Sequence, residues 1–81
     1  MDYTEAIEIN FKYHAPRNEG EKAFYEEYRE QAREMALFLN RMARFQPETT
    51  LALRKLEEAV MWGNASVARH GLLLDHPGDM K

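Results

Sequence analysis

The stretch EKAFYEEYREQAREMALFLNRMAR, residues 21–44, decides the fold. In it Tyr25, Tyr28, Ala32, Met35, Leu39 and Met42 recur at steps of 3, 4, 3, 4 and 3, the seam of an amphipathic helix that packs one face on a partner. Both ends agree. Glu19 and Glu21 lie near the start, where the helix macrodipole favours negative charge, and Arg41 and Arg44 lie in the last turn, where it favours positive charge. Phe45-Gln46-Pro47 then breaks the run, and Pro47 suits the first turn of a new helix because its missing N–H has no partner there anyway. The second helix runs to His70 on a seam of Leu53, Leu56, Val60, Gly63 and Val67, with Gly71 placed as its C-terminal stop. A connection of a few residues makes the two helices antiparallel neighbours in an αα-hairpin.

Upstream of the hairpin, Ile7, Ile9, Phe11 and Tyr13 alternate with Glu8, Asn10 and Lys12. Alternation reads as an extended arm with one apolar edge, while the same residues also admit a short helical turn over Asp2 to Ile9. Pro16, Asn18 and Gly20 form a turn cluster that closes this segment. Downstream, Leu72 to Lys81 carries Pro77 and Gly78 and shows no period, which predicts a partly disordered tail. The expected organisation is one all-α domain over 1–70, with an arm or short helix over 1–19 and helices over 21–44 and 47–70, followed by a tail over 71–81.

Composition narrows the function. The chain has 81 residues, a formal net charge of −3 and no cysteine, so disulfides, thiolate nucleophiles and cysteine-ligated metals are excluded. Its longest apolar runs, such as Met35 to Leu39, fall far short of the roughly 20 residues of a membrane span. The acidic start Met1-Asp2-Tyr3-Thr4-Glu5 does not resemble a signal peptide, and a cytosolic location is expected. Mild acidity argues against binding duplex DNA or RNA but leaves room for small anions held by local arginines. Two helices cannot close a core by themselves, and Phe24, Ala36, Phe38 and Ala43 on one helix and Leu51, Met61 and Trp62 on the other lie off the seams. A small domain with such surplus apolar stripes and no staple is expected to be a homo-oligomer. Gly63, in a stripe with Ala52, Ala59 and Ser66, marks either a close backbone approach or an incidental glycine.

No catalytic pattern emerges. His14, His70 and His76 are scattered without the i, i+4 spacing of a helical metal site, and no histidine–carboxylate arrangement attends Thr4, Thr49, Thr50 or Ser66. Glu26, Glu27, Glu30 and Glu34 read as a solvated helix face, and no glycine-rich phosphate loop is present. Neither an enzyme nor a cofactor is expected. What remains is a cluster at the start of the hairpin, where Tyr13, His14 and Pro16 of the arm meet a helix carrying Tyr25, Arg29 and Arg33. Arg29 and Arg33 share a face, so their guanidinium forks can engage phosphate together beside an aromatic stacking surface. The alternative is that both arginines pair with Glu26 or Glu30 and that Tyr13 only packs.

Tyr13-His14-Ala15-Pro16, the helix from Tyr25 to Arg33, and Leu51 through Trp62 and Asn64 to Arg69 together resemble the hairpin domain of phage anti-CBASS cyclic-nucleotide sponges, which the Thoeris anti-defence sponge shares. The resemblance spans Phe11 to Arg69. It implies a homohexamer in the cytoplasm of the infected bacterial host that sequesters cyclic oligonucleotide messengers without cleaving them. It further implies that Tyr13, with His14 and Pro16 around it, stacks on the bases of a cyclic dinucleotide. Arg29, with Arg33 one turn on, is implied to meet phosphate, and Arg69 to serve a separate cyclic-trinucleotide site. Gly63 stands where members often carry alanine. A competing reading is an oligomeric helical module that contacts a host protein through Met61 and Trp62.

Overall fold

Asp2 starts the first helix: its carboxylate accepts from the Thr4 N–H at 2.9 Å and from the Thr4 hydroxyl at 2.6 Å. Helix α1 then covers Thr4–Asn10. The computed structural model describes residues 2–73, and among these α1 is followed by α2 over Glu19–Met42 and α3 over Pro47–His70, with no strand. The fold is all-helical. Helix prevails over an extended arm for residues 4–10 because a lone extended segment has no sheet edge to satisfy its backbone, whereas Ile7 N–H donates to Tyr3 O at 2.8 Å and Phe11 N–H to Ile7 O at 3.0 Å. None of the residues of α1 is buried, and Ile7, Ile9 and Phe11 remain exposed.

The Thr4 hydrogen bonds hold the Asp2 carboxyl below its ordinary value of 3.8. A lowered pKa in the folded state contributes stability that is present above the unfolded value and is lost as pH falls through the folded one. The helical NMR shifts of residues 4–10 are therefore expected to fray below pH 3.8. Asp2→Ala is expected to show that fraying at neutral pH.

Helix α2 begins at Glu19, two residues ahead of the expected start, because Asn18 Oδ1 caps it by accepting from the Glu21 N–H at 2.8 Å. It ends at Met42, so Arg41 lies in the last turn but Arg44 lies beyond it. Thr49 Oγ1 donates to Arg44 O at 2.7 Å across the connection. Pro47 opens α3, and Gly71 stops it with φ 81°, a left-handed value that favours glycine. The tail from residue 74 onward, with His76, Pro77 and Gly78, lies outside the described residues.

The helices pack antiparallel, the start of α2 lying against the end of α3. On α3 the packed face follows the expected seam, with Val67 buried and Leu53, Leu56, Val60 and Gly63 half-buried. On α2 Tyr25, Tyr28, Ala32 and Leu39 of the expected seam are half-buried, and the packed face departs from it at the two methionines. Ala36 and Ala43, set off the seam in the sequence, are half-buried, while Met35 and Met42, placed on it, are 58% and 71% exposed. The stripe turns toward the alanines because small side chains let the helices approach, and the longer methionines move to the rim.

Gly63 marks a close approach, made by a side chain and not a backbone. A Cβ there would run into Tyr28 Cε2 and stand 2.7 Å from the Tyr28 hydroxyl oxygen. Tyr28 cannot yield freely, since its ring stacks on Phe24 at 5.2 Å between centroids and its hydroxyl donates to Ala59 O at 2.8 Å. Gly63→Ala should gain about 1 kcal/mol of helix propensity and lose more through overpacking, typically about 1–3 kcal/mol. Urea unfolding is expected to show a net loss. A stabilised alanine variant would contradict the close approach.

Candidate functional site

The arm between α1 and α2 is held from both sides. On one side the His14 Nε2–H donates to Ile9 O at 2.9 Å, folding the arm back on the end of α1. On the other, Arg17 joins three elements. Its Nη1 lies 3.1 and 2.9 Å from the two carboxylate oxygens of Glu21 and 3.2 Å from Val67 O, its Nη2 donates to Ala68 O at 2.7 Å, and its backbone N–H donates to Glu21 Oε1 at 3.1 Å. Glu21 is fully buried, so this guanidinium is the counter-charge that makes its burial tolerable. The two carbonyls belong to the last turn of α3, where the negative end of the dipole favours a cation, and Val67 O also accepts from the Gly71 N–H at 2.8 Å. Tyr25 lies beside this pair, its hydroxyl pushed up by burial and by the nearby Glu21 charge against the opposing pull of Arg17, so it stays protonated at neutral pH.

Tyr13 sits on the arm immediately before His14 and four residues before Arg17, 84% exposed and with no hydrogen bond or ring contact among the described residues. Pro16 is also exposed and fixes φ next to Arg17. Arg29 and Arg33 lie further along α2, on the rim of a groove of about 570 Å³ between the two long helices, floored by Ala32, Ala36, Leu53, Leu56 and Val60. They differ in one respect. Arg33 donates to Glu30 Oε1 at 3.0 Å, as the ion-pair alternative anticipated, whereas Arg29 has no hydrogen bond or ion pair among the described residues.

The single chain does not join Tyr13 to Arg29. Arg29 lies ten residues beyond Glu19, the first residue of α2, or roughly 15 Å along the axis at about 1.5 Å per residue. No hydrogen bond, ion pair or cation–π contact links the two. At the arm end of the hairpin, next in sequence to the Ala68 that Arg17 engages, the Arg69 guanidinium lies 6.0 Å from the Trp62 ring centroid, a partly exposed cation–π pair. Nearby, Asn64 Oδ1 is buried and has no hydrogen-bond partner among the described residues. Glu30 is engaged by Arg33, and Glu27 accepts from Gln31 at 3.2 Å, leaving both on the solvated face. Among the described residues no three His, Cys, Asp or Glu side chains converge, and no helix is long and apolar enough to cross a membrane.

Arg17 and Glu21 are absent from the residues that the sequence singled out for the site. Their spacing, a base followed four residues later by an acid, is the signal that was available. A family model described as the Acb2/Tad1 hairpin domain matches residues 3–68, which covers all three helices up to the last turn of α3. No curated protein and no solved structure matches the chain.

Proposed function

The chain belongs to the Acb2/Tad1 hairpin-domain family, and from that premise we propose that it is a phage anti-defence protein which binds cyclic oligonucleotide messengers and withholds them from CBASS-type immunity. It acts by sequestration in the cytoplasm of the infected host and cleaves nothing. The observation that carries the reading, beside family membership, is that a chain of negative net charge presents both an exposed tyrosine, Tyr13, and an arginine, Arg29, with no hydrogen bond or ion pair among the described residues. Tyr13 stacks on a base of a cyclic dinucleotide, with His14 and Pro16 shaping the arm, and Arg29 meets phosphate with Arg33 behind it. Because no contact joins Tyr13 to Arg29 within one chain, a dinucleotide site that uses both takes them from different copies. Arg69, beside Trp62, serves the cyclic-trinucleotide site.

Assembly supplies those copies. Phe11, Met42, Phe45 and Met61 are each more than two-thirds exposed in the single chain. Burying a side chain of this size contributes roughly 1.5–3 kcal/mol, so a homohexamer built on residues 1–70 gains stability and creates the pockets together. Isothermal titration with cyclic di- and trinucleotides tests the function. Saturable heat is expected, weakening as salt rises because exposed arginine–phosphate attraction is screened. Silence with every member, from protein that light scattering shows to be assembled, would remove the reading and favour a host-protein partner at Met61 and Trp62.

A further inference from the structure

We propose that Arg17 is a positioning residue for the Tyr13 ring: by locking the arm to the end of α3 it sets where that ring stands before a ligand arrives. The inference rests on the sponge reading and deepens it. Tyr13 is 84% exposed, so packing within the chain does not hold its ring, and its placement depends on the backbone of the arm. That backbone is non-helical from residue 11 to residue 18. Its upstream anchor, His14 on Ile9 O, reaches only α1, a helix with no buried residue. The downstream anchor is of another kind. Arg17 engages both oxygens of a fully buried carboxylate and two carbonyls fifty residues away in sequence, so it ties the arm to the rigid hairpin. Only three residues separate the clamp from the ring, and one of them is Pro16, whose φ is fixed. A clamp this close, connected through Pro16, limits where the arm can carry the ring. Pre-organisation of this sort raises affinity by removing ordering cost at the moment of binding.

Arg17→Ala alone is a poor test, because it strands the buried Glu21 charge. Replacing the pair together, Arg17→Met with Glu21→Met, removes the clamp and leaves no buried charge behind. The probes are cyclic diadenylate, cyclic diguanylate and the mixed guanylate–adenylate ring. Affinity of the double variant for whichever of them the unaltered protein binds is expected to fall at least about tenfold. Amide exchange is expected to accelerate over residues 11–16 and to stay unchanged along α2 and α3. Arg17→Lys, which keeps a cation at the carboxylate, is expected to recover part of the affinity. Affinity within about twofold of the unaltered protein overturns the proposal, and so does a loss accompanied by faster exchange along both long helices, which would mark general loosening. If the unaltered protein binds none of the probes, the sponge reading falls and this proposal with it, an outcome visible before any variant is made.

Discussion

Arg17→Ala is expected to lower the unfolding free energy by about 3 kcal/mol, the lower end of the range for breaking a buried ion pair from one side. The lower end applies because the Arg17 side chain is 45% exposed while that of Glu21 is wholly enclosed. Removing the guanidinium leaves an enclosed carboxylate facing the last carbonyls of α3, and like partial charges then oppose each other where attraction stood before. A small domain has only about 5–15 kcal/mol of stability in total, so the loss is a large fraction. Urea unfolding followed by far-ultraviolet circular dichroism, at one fixed protein concentration because the proposed assembly would add stability, checks it. The paired change of Arg17 and Glu21 to methionine should restore most of the loss. If Arg17→Ala unfolds at the same urea concentration as the unaltered protein, the buried pair carries no such weight.

Tyr13→Ala and Arg29→Ala are expected to do the opposite: to leave stability within about 0.5 kcal/mol, as for exposed side chains without partners, while removing most of the affinity for cyclic dinucleotides. Loss of stacking costs about 1–3 kcal/mol per base, and loss of a charged hydrogen bond about 1.5–3 kcal/mol, so each change alone should weaken binding by roughly one to two powers of ten. Arg33→Ala supplies the contrast. Its guanidinium already pairs with Glu30 on an exposed face, 63% and 53% open, and its effect should be the smallest of the three. Titration of the four proteins with one ligand separates the roles. Equal losses at Arg29 and Arg33 would show that the ion pair does not hold Arg33 back. No loss at Tyr13 or Arg29 would move the site elsewhere.

The hairpin is legible in the sequence because its signals are local and repeat: a period near 3.6 over two long stretches, Pro47 at the first position of α3 and Gly71 at its stop. The first helix is less so, since over seven residues an alternating pattern and a helical one cannot be told apart, and the deciding group, Asp2 on Thr4, lies just outside the alternation. Asn18 followed three residues later by Glu21 is a capping signature that would have set the start of α2, but it is hidden in a Pro-Asn-Gly cluster that reads first as a turn. The choice of Ala36 and Ala43 over Met35 and Met42 on the packed face comes from the fit between two helices and cannot be read from either one alone.

The clamp was harder still. Glu21 reads as an ordinary acidic residue of a first turn, and its enclosure depends on Val67 and Ala68 returning after fifty residues to close over Arg17. No local pattern encodes that return. For the site, residue type and family resemblance nominate Tyr13, Arg29 and Arg69, yet within one chain no hydrogen bond, ion pair or cation–π contact joins Tyr13 on the arm to Arg29, ten residues into α2. If the proposed pocket is made between copies, its signature within one copy is limited to exposed apolar faces and uncommitted charge.

The most direct test of sequestration is a release experiment. The protein is incubated with a mixture of cyclic di- and trinucleotides, freed of unbound ligand and digested with protease, and the released small molecules are weighed by mass spectrometry. Recovery of an intact cyclic nucleotide in proportion to the protein is the expected result. Recovery of nothing, or of linear nucleotide, from an assembled and folded protein would contradict the proposal that this chain binds its ligand and keeps it whole.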